Sequence, residues 1–112
     1  MNHYNSVILE GVVVSPLSIE KSKETATFKI ESCRRYRTAP GQYEDEASVF
    51  TVRAWYRLAK CCEKDVVPGR TVRIIGRAAQ DHVSGCTVFV AEHIEWRHSD
   101  KRGVTVAEEE ES

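Results

Sequence analysis

The sequence predicts an all-β domain, a five-stranded Greek-key barrel with one short helix between strands three and four. Three observations carry that prediction. Apolar residues recur mostly at every second position, the period of a half-buried strand. Turn signals at Ser15-Pro16, Ala39-Pro40-Gly41, Pro68-Gly69 and Ser84-Gly85 divide the chain into five such runs. Only Tyr56 to Lys64 departs from period two, where Leu58, Cys61 and Cys62, followed by Val66, make a single helical stripe.

Taken in order, Ser6 to Val14 reads as the first strand, with Gly11 predicting a bulge or sharp bend in its middle. A polar stretch through Ser22 then reads as a loop. Thr25 to Cys33 alternates, with Ala26, Phe28 and Ile30 on one side and Thr27, Lys29 and Glu31 on the other. Thr38 to Glu46 is rich in turn residues and predicts a long loop. In Ser48 to Trp55, Phe50, Val52 and Ala54 take one face and Val49, Thr51, Arg53 and Trp55 the other. Pro68-Gly69 ends the helix, Arg70 to Arg77 makes the fourth strand with Val72 and Ile74 inward, and Cys86 to Ile94 makes the fifth. Three strands, a helix and two strands are the order of an OB-fold, whose first strand must curve through both halves of the barrel. An immunoglobulin-type sandwich needs about seven strands and no helix at this point. The barrel spans residues 1–97, and the charged, aperiodic stretch 98–112 is expected to be a disordered acidic tail.

Composition narrows the classes of function. The 112 residues suffice for one core, and 41% apolar content is too high for a disordered chain. No run approaches the roughly 18 apolar residues of a membrane span. The opening MNHYNSVILE lacks the cationic and long apolar segments of a signal peptide, so a cytoplasmic protein is expected. The net charge of −1 hides an asymmetry. Residues 1 to 107 carry 16 Lys and Arg against 13 Asp and Glu, and Glu108 to Glu111 supply the remaining acids. The body is therefore weakly basic.

Cys33, Cys61, Cys62 and Cys86 include no C-x-x-C pair, and His82 and His93 flank Cys86 at spacings that match no common zinc module. Reduced thiols without metal are expected, and no cofactor is called for. The chain has no G-x-S-x-G, P-loop, Rossmann glycine pattern or H-E-x-x-H. The carboxylates of Glu44-Asp45-Glu46 fall in the expected loop, where nothing positions them for acid–base work. Catalysis is not expected.

Nucleic-acid binding has better material. Arg34, Arg35 and Arg37 surround Tyr36 at the exit of the second strand, and Arg53 and Trp55 lie on the outward face of the third. Lys29 and Thr27 extend that face, Arg73 and Arg77 project outward from the fourth strand, and Tyr43 sits on the long loop. OB-folds bind oligonucleotides across strands two and three. A single strand offers phosphates to guanidinium groups and base faces to aromatic rings, and Arg serves both. Trp96, where the chain leaves the barrel, is expected to pack rather than bind.

The chain resembles the bacterial single-stranded DNA-binding proteins. The matching pieces are VILEGVV before Ser15-Pro16, ATFKIES at 26–32, VFTVRAWYRLAK at 49–60, PGRTVRIIGR at 68–77 and VFVAEHIEW at 88–96. They stand in the family's order and cover Met1 to Arg97. The resemblance implies sequence-independent binding of single-stranded DNA in replication, repair and recombination, association with the nucleoid, and a homo-oligomer, usually a tetramer. It also implies stacking roles for Trp55 and Tyr36. A third family aromatic, at the start of strand three, is replaced here by Val49, and a fourth, in the hairpin between strands four and five, by Asp81-His82-Val83. The acidic tip lacks the Pro-Phe pair through which family members recruit replication and repair proteins.

Those departures keep two other readings open. The chain also resembles the primosomal replication protein N family, short OB-folds that work as dimers. An OB module for protein assembly, without nucleic acid, would use the uncharged edge of the first strand. RNA in place of DNA is a further option for the same contacts.

Overall fold

A computed structural model describes residues 2–20, 22 and 24–97, and the stretch 98–112 lies outside it. Seven elements follow one another: β1 (Val7–Val13), β2 (Ser18–Glu20), β3 (Thr25–Ala39), β4 (Gln42–Trp55), α1 (Tyr56–Asp65), β5 (Thr71–Gln80) and β6 (Thr87–Trp96). The sheet order is β1-β5-β6-β4-β3-β2, and a further β1–β3 pairing closes five of the strands into a ring. The expected OB barrel is therefore present. The count differs by one because Ser18–Glu20, read as loop, adds to the edge of β3. The helix consequently follows the fourth strand rather than the third.

Alternation puts Ala26, Phe28 and Ile30 of β3, Val52 and Ala54 of β4, and Val72 and Ile74 of β5 inside the ring. Each such burial contributes roughly 1.5–3 kcal/mol for the larger side chains. Helix α1 adds Ala59 and Cys62 to that core, with Val66 just after it. Cys61, expected on the same stripe, is exposed. Leu58 packs against the core only in part. Trp96 stacks obliquely on Phe28, with ring centroids 6.3 Å apart. The Arg70 guanidinium lies over the Trp96 ring, 5.1 Å from its centroid. It is a packing residue.

Of the bulge or sharp bend expected at Gly11, the bulge is absent there. The β1–β5 register runs unbroken past it, and β1 then turns onto β3 at Val12 and Val13. A Cβ at Gly11 would stand 2.6 Å from the Glu31 carbonyl oxygen, so the glycine permits a close backbone approach where the barrel closes. The barrel's bulge lies elsewhere, between Ile75 and Gly76 against β6.

The largest departure from expectation is Thr38 to Glu46. This stretch is not a loop. β3 and β4 stay paired from Thr25↔Trp55 to Ala39↔Gln42, and only Pro40 and Gly41 turn the chain, with Gly41 at φ +75°. The result is a two-stranded ribbon that runs on beyond the barrel wall, its residues from Cys33 to Ala47 exposed apart from Ala39.

Candidate nucleic-acid interface

Side chains of a strand alternate between faces, so the β3–β4 register decides which candidates share a surface. Thr27 lies opposite Arg53 and Lys29 opposite Thr51, with Ala26, Phe28, Val52 and Ala54 on the other face in the core. The outward row therefore holds Thr27, Lys29, Arg53 and Trp55 together, as expected. A cleft of about 330 Å³ opens on this row, floored by Thr25, Thr27, Arg53 and Trp55. Ser18 and Glu20 of β2 form one wall, and Asp81 and Val83 of the β5–β6 connection form the other.

The second wall is held to the floor. Arg53 Nη1 lies 3.6 Å from Asp81 Oδ1, both side chains about three-quarters covered. Ser84 donates to Asp81 Oδ2 from its hydroxyl at 2.8 Å and from its backbone N–H at 3.2 Å. The Gly85 N–H closes the turn onto the Asp81 carbonyl at 2.7 Å. The Ser84 bonds hold the Asp81 carboxyl below the usual carboxylate range, and Arg53 adds to that effect.

On the ribbon the expected cluster is divided. Arg35 faces Asp45 and Arg37 faces Tyr43 on the side continuous with Lys29 and Arg53. Arg34 faces Glu46 and Tyr36 faces Glu44 on the opposite side. Arg35 Nε donates to Asp45 Oδ1 at 2.8 Å, a bond that raises the guanidinium's pKa. The Tyr36 hydroxyl donates to Glu44 Oε1 at 3.2 Å. The acids of Glu44-Asp45-Glu46 thus stand on a strand, two of them occupied by neighbours.

Arg73 and Arg77 do project outward, but from β5, which β1 and β6 separate from the β3–β4 pair. Arg73 sits between Glu10 at 3.8 Å and Glu95 at 3.7 Å, and Arg77 lies 3.7 Å from Glu92. The structure does not bring them to the cleft. Among the described residues, Lys29, Arg34 and Arg37 have no carboxylate within ion-pair distance.

Three residues at or beside the cleft escape the sequence reading. Asp81 reaches Arg53 only through the fold, although an acid at a hairpin tip opposite a basic face is a signal of a kind. Val83, 94% exposed, lines the cleft from the same tip. Tyr56, beside Trp55 in sequence, has its ring centroid 6.0 Å from the indole and is exposed. Among the described residues, no group of three or more His, Cys, Asp or Glu is placed to hold a metal ion. No helix there is long and apolar enough to cross a membrane.

A model of the single-strand binding protein family matches residues 4–106. No curated protein matches the chain. Among solved structures, the single-stranded DNA-binding protein of Plasmodium falciparum, in complex with single-stranded DNA, superposes with a TM-score of 0.71 at 15% identity, covering 88% of this chain and 98% of that one. A small single-stranded DNA-binding protein from Streptomyces coelicolor gives 0.66 at 22% identity, covering 92% of this chain and all of its own. The protein priB from Ralstonia solanacearum gives 0.59 at 12% identity, covering 85% and 100%. At these identities the likeness is one of fold.

Proposed function

Because the chain belongs to the single-strand binding protein family, we propose that it binds single-stranded DNA without sequence preference, in replication, repair and recombination. The observation that carries this reading is the cleft in which Trp55 and Arg53 stand side by side on an outward strand face. An indole offers a base face about 1–3 kcal/mol of stacking, and a guanidinium beside it takes the adjoining phosphate. Lys29, Arg35, Arg37 and Tyr43 continue the same face along the ribbon, while Arg34 and Tyr36 meet a strand that wraps to its other side. Arg73 and Arg77 are reached only by DNA that passes round the barrel, and they belong to the reading on that condition. Engagement of about four phosphates gives a log–log salt slope near −3, at roughly −0.7 each.

Tryptophan emission during titration with poly(dT), at low and at high salt, tests the reading. Quenching that salt reverses is expected, and Trp55→Ala removes most of it. Absence of both quenching and binding at low salt would overturn it.

The protein acts in this reading as a homo-oligomer in the cytoplasm, at the nucleoid, with a tetramer favoured over a dimer. Val7 to Gly11 pair with β5 alone, which leaves their other edge open, and Ile8 on the outer face of that strand is exposed. The fold-level likeness to priB favours the dimeric, primosome-type variant as the second reading. Sedimentation equilibrium separates the two.

A further inference from the structure

The junction between β4 and α1 holds a strained residue that the DNA-binding reading does not use. Tyr56 adopts φ +54°, in the left-handed region that a bulky aromatic rarely enters. Its backbone N–H donates to the Glu24 carbonyl oxygen at 2.7 Å, and Glu24 is itself at φ +52°. No side chain caps the helix here, and Trp55 just before it is extended, at φ −116° and ψ 150°. Such strain concentrates at functional sites, where the surrounding structure holds it in place.

Its consequence is geometric. Neighbouring residues of a strand point to opposite faces, but the left-handed turn lets Trp55 and Tyr56 present their rings together, 6.0 Å apart and inclined by 41°. Tyr56 is 63% exposed, so its ring adds little to the core. It borders a second groove of about 420 Å³, with Ile19, Thr25 and Ala59. Thr25 also lines the Trp55 cleft, so the two recesses adjoin at that residue. The groove's charged residues are Lys60 against Glu24 and Glu63, a set that offers no net attraction to phosphate.

We propose that Tyr56 is a second base-stacking residue, which takes the nucleotide next to the one on Trp55 and extends the DNA path from the β3–β4 face onto the start of α1. The proposal rests on the single-strand-binding reading. Stacking, not charge, is its contribution, and that sets the test.

Tyr56→Gly removes the ring and relieves the positive φ, so the variant is expected to melt about 4 °C higher than the parent chain. Its affinity for fluorescein-labelled oligo(dT), read by anisotropy, falls about tenfold at every salt concentration, with the log–log slope unchanged, since a lost stack releases no counterions. Quenching of Trp55 at saturation persists. Tyr56→Phe binds as the parent does. Tyr56→Asn, which tolerates the left-handed region, binds as weakly as the glycine variant and guards against an effect of backbone flexibility. A parent chain that binds oligo(dT) no better than its Tyr56→Gly variant overturns this proposal alone. A parent chain that does not bind overturns it together with the functional reading.

Discussion

Arg53 and Asp81 join the floor of the cleft to its β5–β6 wall. The arginine projects from the middle of the outward strand face, and the acid stands at the start of the β5–β6 turn, 3.6 Å away. Ser84 fixes the carboxylate by two hydrogen bonds, so the acid is held towards the guanidinium rather than meeting it by chance. A phosphate arriving at Arg53 therefore competes with a carboxylate already in place. The most central cation of the face is partly neutralised in the free protein.

Asp81→Asn tests that competition. The amide oxygen still accepts from Ser84, but the charge opposite Arg53 is gone. Affinity for oligo(dT) is expected to rise roughly threefold at low salt, with the log–log slope steeper by about 0.7, one additional phosphate. Ser84→Ala, which loosens the turn and keeps the acid, leaves the slope as it is. Because the folded-state pKa of Asp81 is depressed, the pair is intact above the unfolded value of about 3.9 and is lost only as pH falls through the lower folded value. The advantage of the asparagine variant is thus constant from pH 5 to 7. A slope identical to the parent's rules the competition out.

The arginines differ in what already surrounds them, and salt titration separates them. Lys29 and Arg37 lie on the cleft side of β3 with no carboxylate within ion-pair distance among the described residues. Alanine at either flattens the slope by about 0.7. Arg73 is bracketed by Glu10 and Glu95 on β5, away from the cleft. Arg73→Ala leaves the slope unaltered when short oligo(dT) is the ligand, and a change there shows that DNA passes round the barrel.

The barrel was legible because each of its strands is buried on one face, which writes period two into the sequence. Phe28, Ile30, Val52 and Ala54 could be assigned inward from their spacing alone, and they are inward. The ribbon was illegible for the converse reason. From Arg34 to Glu46 both faces meet solvent, so no alternation marks the strand, and Pro40-Gly41 spreads its turn signal over neighbours that are in fact paired. That omission had a cost at the site. Arg34, Arg35, Tyr36 and Arg37 form a cluster if the strand ends at Cys33, but a strand that continues sends alternate members to opposite sides. β2 is three exposed residues and carries no pattern at all. The partnership of Arg53 with Asp81 joins distant parts of the chain, and single-sequence reading has no term for it.

Among the described glycines, Gly76 leaves the least room for a side chain. A Cβ there would run into the Val90 carbonyl oxygen, across the β5–β6 bulge, with the Glu92 backbone also close behind it. Backbone cannot yield as the far end of a flexible side chain does. Gly76→Ala is expected to cost about 3 kcal/mol or more in urea unfolding. Gly41, at φ +75° with open space where its Cβ would go, provides the contrast: Gly41→Ala costs about 1 kcal/mol from the turn conformation alone. Equal losses at the two sites contradict the close-approach account of Gly76.

Cys62 couples the core to alkaline pH. The thiol is buried beneath α1, and burial, with smaller contributions from Cys61 and Asp65, pushes it from 9.0 up to about 11. A folded-state pKa above the unfolded one means that the native state holds its proton more tightly. The stability from this group is fully present below about pH 9 and is lost as pH rises through 11, a change on the order of 2 kcal/mol. Urea unfolding at pH 8 and at pH 11 is expected to show this loss in the parent chain and to lack that component in Cys62→Ala, which is less stable at both. Cys33, Cys61 and Cys86 are exposed, so a thiol reagent at pH 8 modifies three groups quickly and the fourth only as the fold opens. Four equally fast thiols, or an alkaline loss that survives in Cys62→Ala, mean that the helix does not seal the barrel at this end.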